Sequence, residues 1–269
     1  MKIKTALLQY PIAWADKETN LRLAEQRIAA LAGKADVAVL PEMFATGFCT
    51  DHPELAEPMD SDIIRRLQTV ADQSGVAIVS SFICAPTPIA NRPLPIAKLV
   101  NRGFMVVPHG EVLIQDKRHL YAHGGEDKFF EQAQERHIFE YKGVKILLLV
   151  CYDLRFPVWA RNRSGHDYDL ILVVANWPDI RIQYWDALIA ARATENQCYI
   201  AAVNCVGDDG MGLHYNGHSV AYDTRLQPIV SFADDEEGTK IAEFDINKLH
   251  HFREVLPLWK DVDEFELTL

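Results

Sequence analysis

Along the first eighty residues short, wholly apolar runs alternate with stretches of helical apolar spacing, and this alternation restricts the fold more than any other feature. Residues 3–8 read as a strand, after which Leu21, Ala24, Ile28 and Leu31 recur on one helical face before Gly33. Runs 37–40 and 76–82 read as buried strands on either side of a helical pattern at 63–71 that stops near Gly75. The order is β-α-β-α-β, which calls for a sheet with helices laid against it. A proline-containing stretch, 86–95, interrupts the pattern, and 98–107 with 111–115 read as a hairpin turning at Pro108-His109-Gly110. Buried strands are expected again at 145–150, 170–175 and 198–203, with a short helix and a polar loop, 161–169, between the first two. A helix at 185–196, an acidic turn at 233–238 and a strand at 241–244 complete the pattern. The strands outnumber what one open sheet holds comfortably. The expectation is one domain, 1–269, of two mixed sheets face to face with helices outside.

Composition excludes several classes of function. Hydrophobic residues at 49% and charged residues at 24% are those of an ordinary globular chain, and a net charge of −11 repels phosphate backbones and anionic lipid. Neither nucleic acid nor membrane is expected as a partner. The longest apolar run, 146–152, falls far short of the roughly 20 residues a membrane span needs. Gln9 and Pro11 cut off the apolar stretch 6–8 before it resembles a signal peptide, so a cytoplasmic location is expected. Five cysteines at irregular spacing, without Cys-x-x-Cys, argue against a disulfide framework or a zinc ribbon. No His-x-x-x-His or mixed Cys/His spacing falls on an expected helix to suggest a metal site, and Gly207 with Gly210-Met211-Gly212 lacks the Lys-Ser/Thr of a phosphate loop, so that loop reads as pocket lining.

Three stretches each place one reactive side chain at the end of an apolar strand. They are Val39-Leu40-Pro41-Glu42-Met43-Phe44, Asp116-Lys117-Arg118-His119-Leu120 and Leu149-Val150-Cys151-Tyr152-Asp153-Leu154-Arg155-Phe156-Pro157. Taken singly, Cys151 is a small core residue, Glu42 a surface or capping carboxylate and Lys117 a solvated turn residue. Together they supply a thiol, a base to take its proton and a cation to hold the oxyanion of an attacked carbonyl. A dyad of Cys151 with His119 or His218 is the other arrangement these residues allow, although the strings of papain-like proteases are absent.

In these three strings the sequence resembles the nitrilase superfamily of carbon–nitrogen hydrolases over nearly its whole length. The resemblance implies an α-β-β-α sandwich that pairs into homodimers, needs no cofactor, and uses Glu42, Lys117 and Cys151 as a catalytic triad. His123-Gly124-Gly125-Glu126 is similar to the family's glycine-rich turn, which implies that Glu126 orients Lys117. Ala175-Asn176-Trp177-Pro178 is similar to a pocket-wall segment, with Trp177 facing the substrate, and the backbone N–H of Tyr152 is implied as an oxyanion donor. Arg192 and Glu195 read instead as a structural ion pair on a helix.

The context of the cysteine resembles the omega-amidase branch, which implies monoamides of dicarboxylic acids such as 2-oxoglutaramate and succinamate as substrates. A distal carboxylate needs a cation in the pocket, and Arg155 or Arg118 is placed to supply it; Arg155 pairing with Asp153 to hold the loop is the alternative. The same triad serves nitrilases, N-carbamoyl amidases and amidases of deaminated glutathione, and a non-catalytic metabolite-binding relative would keep the same pocket.

Overall fold

The computed structural model describes residues 1–85, 99–263 and 265 and forms two six-stranded sheets. One sheet takes β1 (Lys2–Gln9), β2 (Val37–Val39), β3 (Ala77–Cys84), β4 (Val100–Val106) and β5 (Val112–Asp116). The other takes β6 (Ile138–Tyr141), β7 (Val144–Val150), β8 (Leu170–Val174) and β9 (Tyr199–Val203). After a separate ribbon of β10 (Val206–Asp208) and β11 (His214–Asn216), β12 (Val220–Tyr222) and β13 (Pro228–Ser231) extend that second sheet. β14 (Gly238–Asp245) returns to the edge of the first, antiparallel to β1 with Ile3 opposite Phe244. The runs β1–β2–β3 and β7–β8–β9 are parallel, and each is flanked by antiparallel neighbours, so both sheets are mixed, as expected.

Strands buried on both faces read as continuous apolar runs, and the side-chain alternation shows where each face goes. Ile3, Leu7, Val37, Val39, Ala77 and Val79 point to the second sheet and share one core with β7, β8 and β9. Their neighbours Ala6, Leu8, Ala38, Leu40 and Ile78 pack under α1 (Lys17–Ala29) and α2 (Asp62–Ser74). Asp16 caps α1 by accepting from the Thr19 N–H, and Gly75, in the left-handed region at φ 69°, ends α2. The short α3 (Glu126–Phe129) and α4 (Pro157–Ala160) follow the ends of β5 and β7. Trp185, Ile189 and Ala193 of α5 (Ile182–Glu195), with Ile246 and Leu249 of α6 (Ile246–Val255), join the core of the second sheet.

The two sheets approach each other closely at Gly103 on β4, where an added Cβ would lie 2.6 Å from the Gln115 carbonyl oxygen and 2.8 Å from Leu148 of the opposite sheet. Gly103→Ala is expected to cost about 1–3 kcal/mol of stability, because backbone on one side leaves no room to yield. A thermal midpoint equal to that of the wild type would refute the close approach.

The elements read from sequence are present, most with ends shifted by a few residues. The interrupting stretch 86–95 and Lys98 of the expected hairpin lie outside the described residues. The short strands β6 and β10 to β13 and the helix α6 escape the periodicity argument. The strands form because neighbouring strands pair with them, and α6 carries mostly polar residues. Arg253 anchors α6 by donating to the carbonyls of Gln197 and Tyr168 and to Asp169 Oδ1.

Candidate active site

Glu42, Lys117, Glu126 and Cys151 converge at one edge of the sandwich because β2, β5 and β7 end there. After β2, Pro41 offers no N–H; its carbonyl accepts from the Ser80 hydroxyl, and the Met43 N–H donates to Ser81 Oγ. Those two bonds to β3 fix the turn on which Glu42 stands. Lys117 follows β5 directly, and its N–H donates to the Asn101 carbonyl at 2.9 Å. Cys151 follows β7 in the left-handed region, at φ 46°, a strained conformation for a side-chain-bearing residue that the surroundings must impose. Asp153 imposes it by accepting from the Val150 N–H with one oxygen, and from both the N–H and the ring Nδ1 of His119 with the other. Val150 adjoins Cys151 and His119 lies two residues from Lys117, so one carboxylate locks the two turns together.

The charged groups are fully buried. Lys117 Nζ lies 2.9 Å from Glu42 Oε1 and 2.8 Å from Glu126 Oε2. Burial alone pulls the ammonium toward deprotonation, but Glu126 and then Glu42 outweigh it and hold Lys117 above the ordinary lysine range. Burial raises Glu126, with Lys117 opposing. Burial also pushes the Cys151 thiol well up, and the adjacent Glu42 carboxylate adds to this both as a charge and as a hydrogen-bond partner. The proton therefore stays on sulfur until a base takes it, and Glu42 stands next to it. Tyr152 is the second residue of the 3-10 turn Cys151–Arg155, so its N–H precedes the first intrahelical donor.

The cluster opens on a cavity of about 330 Å³ lined by Lys117, Cys151, Tyr152, Arg155, Trp177 and Arg181 among others. Arg155 lies over the rings of Trp177, Tyr184 and Tyr152, at 4.8, 5.1 and 5.9 Å, and Arg181 lies 5.6 Å from the Tyr121 ring. Neither guanidinium meets a carboxylate among the described residues. Trp177 faces the cavity with its ring, since its backbone N–H donates to Asn204 Oδ1 and its indole N–H to the Arg181 carbonyl. The glycine-rich loop lines the cavity through Met211 and Leu213. It is shaped by Asp209, whose carboxylate accepts from the N–H groups of Met211 and Leu213 and from the Tyr215 hydroxyl.

Three expectations need correction. Arg118 does not reach the cavity: its guanidinium donates to the Ala133 carbonyl at 2.6 Å and lies over Trp159, because successive residues leaving β5 point to opposite sides. Arg155 does not pair with Asp153, whose oxygens are taken by His119 and Val150. The same bonds remove His119 as a partner for the thiol, and His218 is held by Asp186 and Asp234. The Arg192–Glu195 pair forms at 2.9 Å. Sequence reasoning passed over Arg181, Asn176 and Asn101. Asn176 donates from its backbone N–H to Glu42 Oε2 and from its side chain to the Glu42 carbonyl. Asn101 touches both glutamates, and its one sequence signal was a lone amide among the apolar residues of β4.

The family model described as carbon-nitrogen hydrolase matches residues 4–254. This chain belongs to the carbon-nitrogen hydrolase family. The hydrolase is 41% identical to the omega-amidase YafV of Escherichia coli (strain K12) over 98% of each chain. To the 2-oxoglutaramate amidase of Bacillus subtilis (strain 168) it is 30% identical, over 97% of this chain and 98% of that one. Among solved structures, it superposes on a CN-hydrolase superfamily protein of Xanthomonas campestris with an arsenic adduct in its active site. That match has a TM-score of 0.92 at 36% identity and covers 100% of each chain.

Proposed function

We propose that this hydrolase is a cysteine-dependent amidase that releases ammonia from monoamides of dicarboxylic acids, 2-oxoglutaramate and succinamate among them, with residues 1–269 acting as one domain. The observation that carries the reading is a buried Glu42–Lys117–Glu126 cluster beside the Cys151 thiol, opening on a cavity with two guanidiniums that meet no carboxylate among the described residues. Glu42 takes the thiol proton as sulfur attacks the amide carbon, and the carbonyl electron pair moves to oxygen. Lys117 Nζ and the Tyr152 N–H receive that oxyanion. Collapse breaks the C–N bond, Glu42 returns its proton to the leaving nitrogen, and ammonia departs from a thioester. Water then attacks the thioester with Glu42 again as base, which frees the acid and restores the thiol. Glu126 holds Lys117 throughout. The names of the amidases to which the chain is similar support this substrate class.

Arg155 reads the distal carboxylate in this mechanism, because a guanidinium lying on three aromatic rings without an acidic partner is already arranged for an incoming anion. Wild type is expected to prefer succinamate to butyramide. Arg155→Met should erase about 2–3 kcal/mol of that preference in kcat/KM and leave butyramide hydrolysis nearly unchanged. Arg118→Met should alter neither rate. Equal use of the two amides by the wild type would withdraw the dicarboxylate assignment and leave the amidase reading.

The reading includes a homodimer, supported by exposed apolar surface at Val158, Ile180 and Tyr184. It also includes a cytoplasmic working place, with which five unpaired cysteines are consistent. No helix among the described residues is long and apolar enough to cross a membrane.

A further inference from the structure

We propose that Asn101 is the positioning residue that keeps Glu42 and Glu126 ionised side by side, and thereby sets the acid limit of the pH range in which Cys151 is used. This rests on the reading of Glu42 as the base. The Asn101 side chain is fully buried, and the residue is not among those lining the cavity. Its Nδ2 donates to Glu42 Oε1 at 2.8 Å and to Glu126 Oε1 at 3.1 Å. Lys117 Nζ donates to the same two oxygens, at 2.9 and 3.0 Å. Two like-charged oxygens thus share two donors, one of them charged and one neutral.

One ammonium cannot neutralise two carboxylates, so the ionised cluster carries a surplus negative charge in a dry site, where like charges favour retention of a proton. The remaining contacts do not change this count. Glu42 Oε2 accepts from the Asn176 N–H, and Glu126 Oε2 from the Tyr121 N–H at 2.6 Å and from Lys117. Among the described residues the other titratable groups beside the cluster are the thiols of Cys151 and Cys205, each raised by burial and by the Glu42 carboxylate, while the Tyr215 hydroxyl, which lines the cavity, donates to Asp209. Asn101 supplies the second pair of hydrogens toward the carboxylates without adding a charge. Its orientation is dictated, because the flipped amide would aim its oxygen at two anions. Asn101 Oδ1 finds no hydrogen-bond partner among the described residues, so the residue occupies the core at a cost that an apolar residue of the same shape would avoid. What retains an amide there is the task of its nitrogen.

Asn101→Leu removes both donors, and Asn101→Ser keeps one shorter donor and adds no volume, so it serves also if the leucine variant does not fold. Two pH profiles are measured for each: kcat/KM on an amide substrate, and the rate at which limiting iodoacetamide modifies Cys151, which needs no turnover. The acid limb of both profiles is expected to move up by about one pH unit in Asn101→Leu and by less in Asn101→Ser. On that limb kcat should drop about tenfold while KM stays within about twofold, because Asn101 touches no substrate-facing surface. A uniform loss of rate with the acid limb unmoved, or a change confined to KM, would overturn the inference. Turnover surviving in Cys151→Ala would instead overturn the reading on which it rests.

Discussion

Cys151→Ala is expected to lose amide turnover by about four orders of magnitude or more while the fold stays intact, since the thiol is the nucleophile that the cavity presents beside a carboxylate base. Replacement of any of the other four cysteines should leave activity near that of the wild type. All four are buried, and none lines the main cavity. Burial pushes Cys84 up to about 11 and Cys49 up to about 12, and it raises Cys198 and Cys205 further. Limiting iodoacetamide should accordingly modify Cys151 first, with activity lost in proportion to the modified peptide. Modification of another cysteine with matching loss of activity would reject the assignment of the nucleophile.

Lys117→Met is expected to damage both catalysis and folding, and the two effects have one cause. Removing the ammonium withdraws a donor from the oxyanion, which costs about 10²–10³ in kcat. It also leaves Glu42 and Glu126 buried without a counter-charge, and breaking a buried pair in this way costs about 3–5 kcal/mol of stability. The loss is limited only by how readily one carboxylate takes up a proton, so the variant should be less destabilised at low pH than at neutral pH. Denaturant unfolding at both pH values, run beside steady-state kinetics, tests this. Wild-type stability at neutral pH would show that the ammonium does not balance the two carboxylates, and near wild-type turnover would remove Lys117 from the mechanism.

The parts of the fold legible in the sequence were those whose period is set by burial alone. β1 to β3 and β7 to β9 are apolar on both faces because helices lie on one side and the opposite sheet on the other, so the strand runs stand out without any knowledge of their partners. β12 and β13 carry three and four residues, too few for a period to emerge, and they exist because β9 offers an unpaired edge.

The candidate site divides in the same way. Glu42, Lys117 and Cys151 could be selected from the sequence because each follows an apolar strand directly, and strand ends are where α/β folds assemble sites from distant segments. Direction beyond the strand end was not legible. Arg118 follows Lys117 and Arg155 lies four residues past Cys151, yet of the two only Arg155 enters the cavity, since the backbone leaving β5 turns Arg118 toward Ala133. Arg181 and Asn101 come from a turn after β8 and from the start of β4, and no local signal ties either to Cys151. The sequence by itself determined which side chains can form and stabilise a thioester, because that depends on chemical type and on the strands that precede them. Which arginines face the substrate, and which amide holds the two glutamates, only the tertiary structure decided, because hydrogen bonds between distant segments are set by packing and leave no periodic trace along the chain.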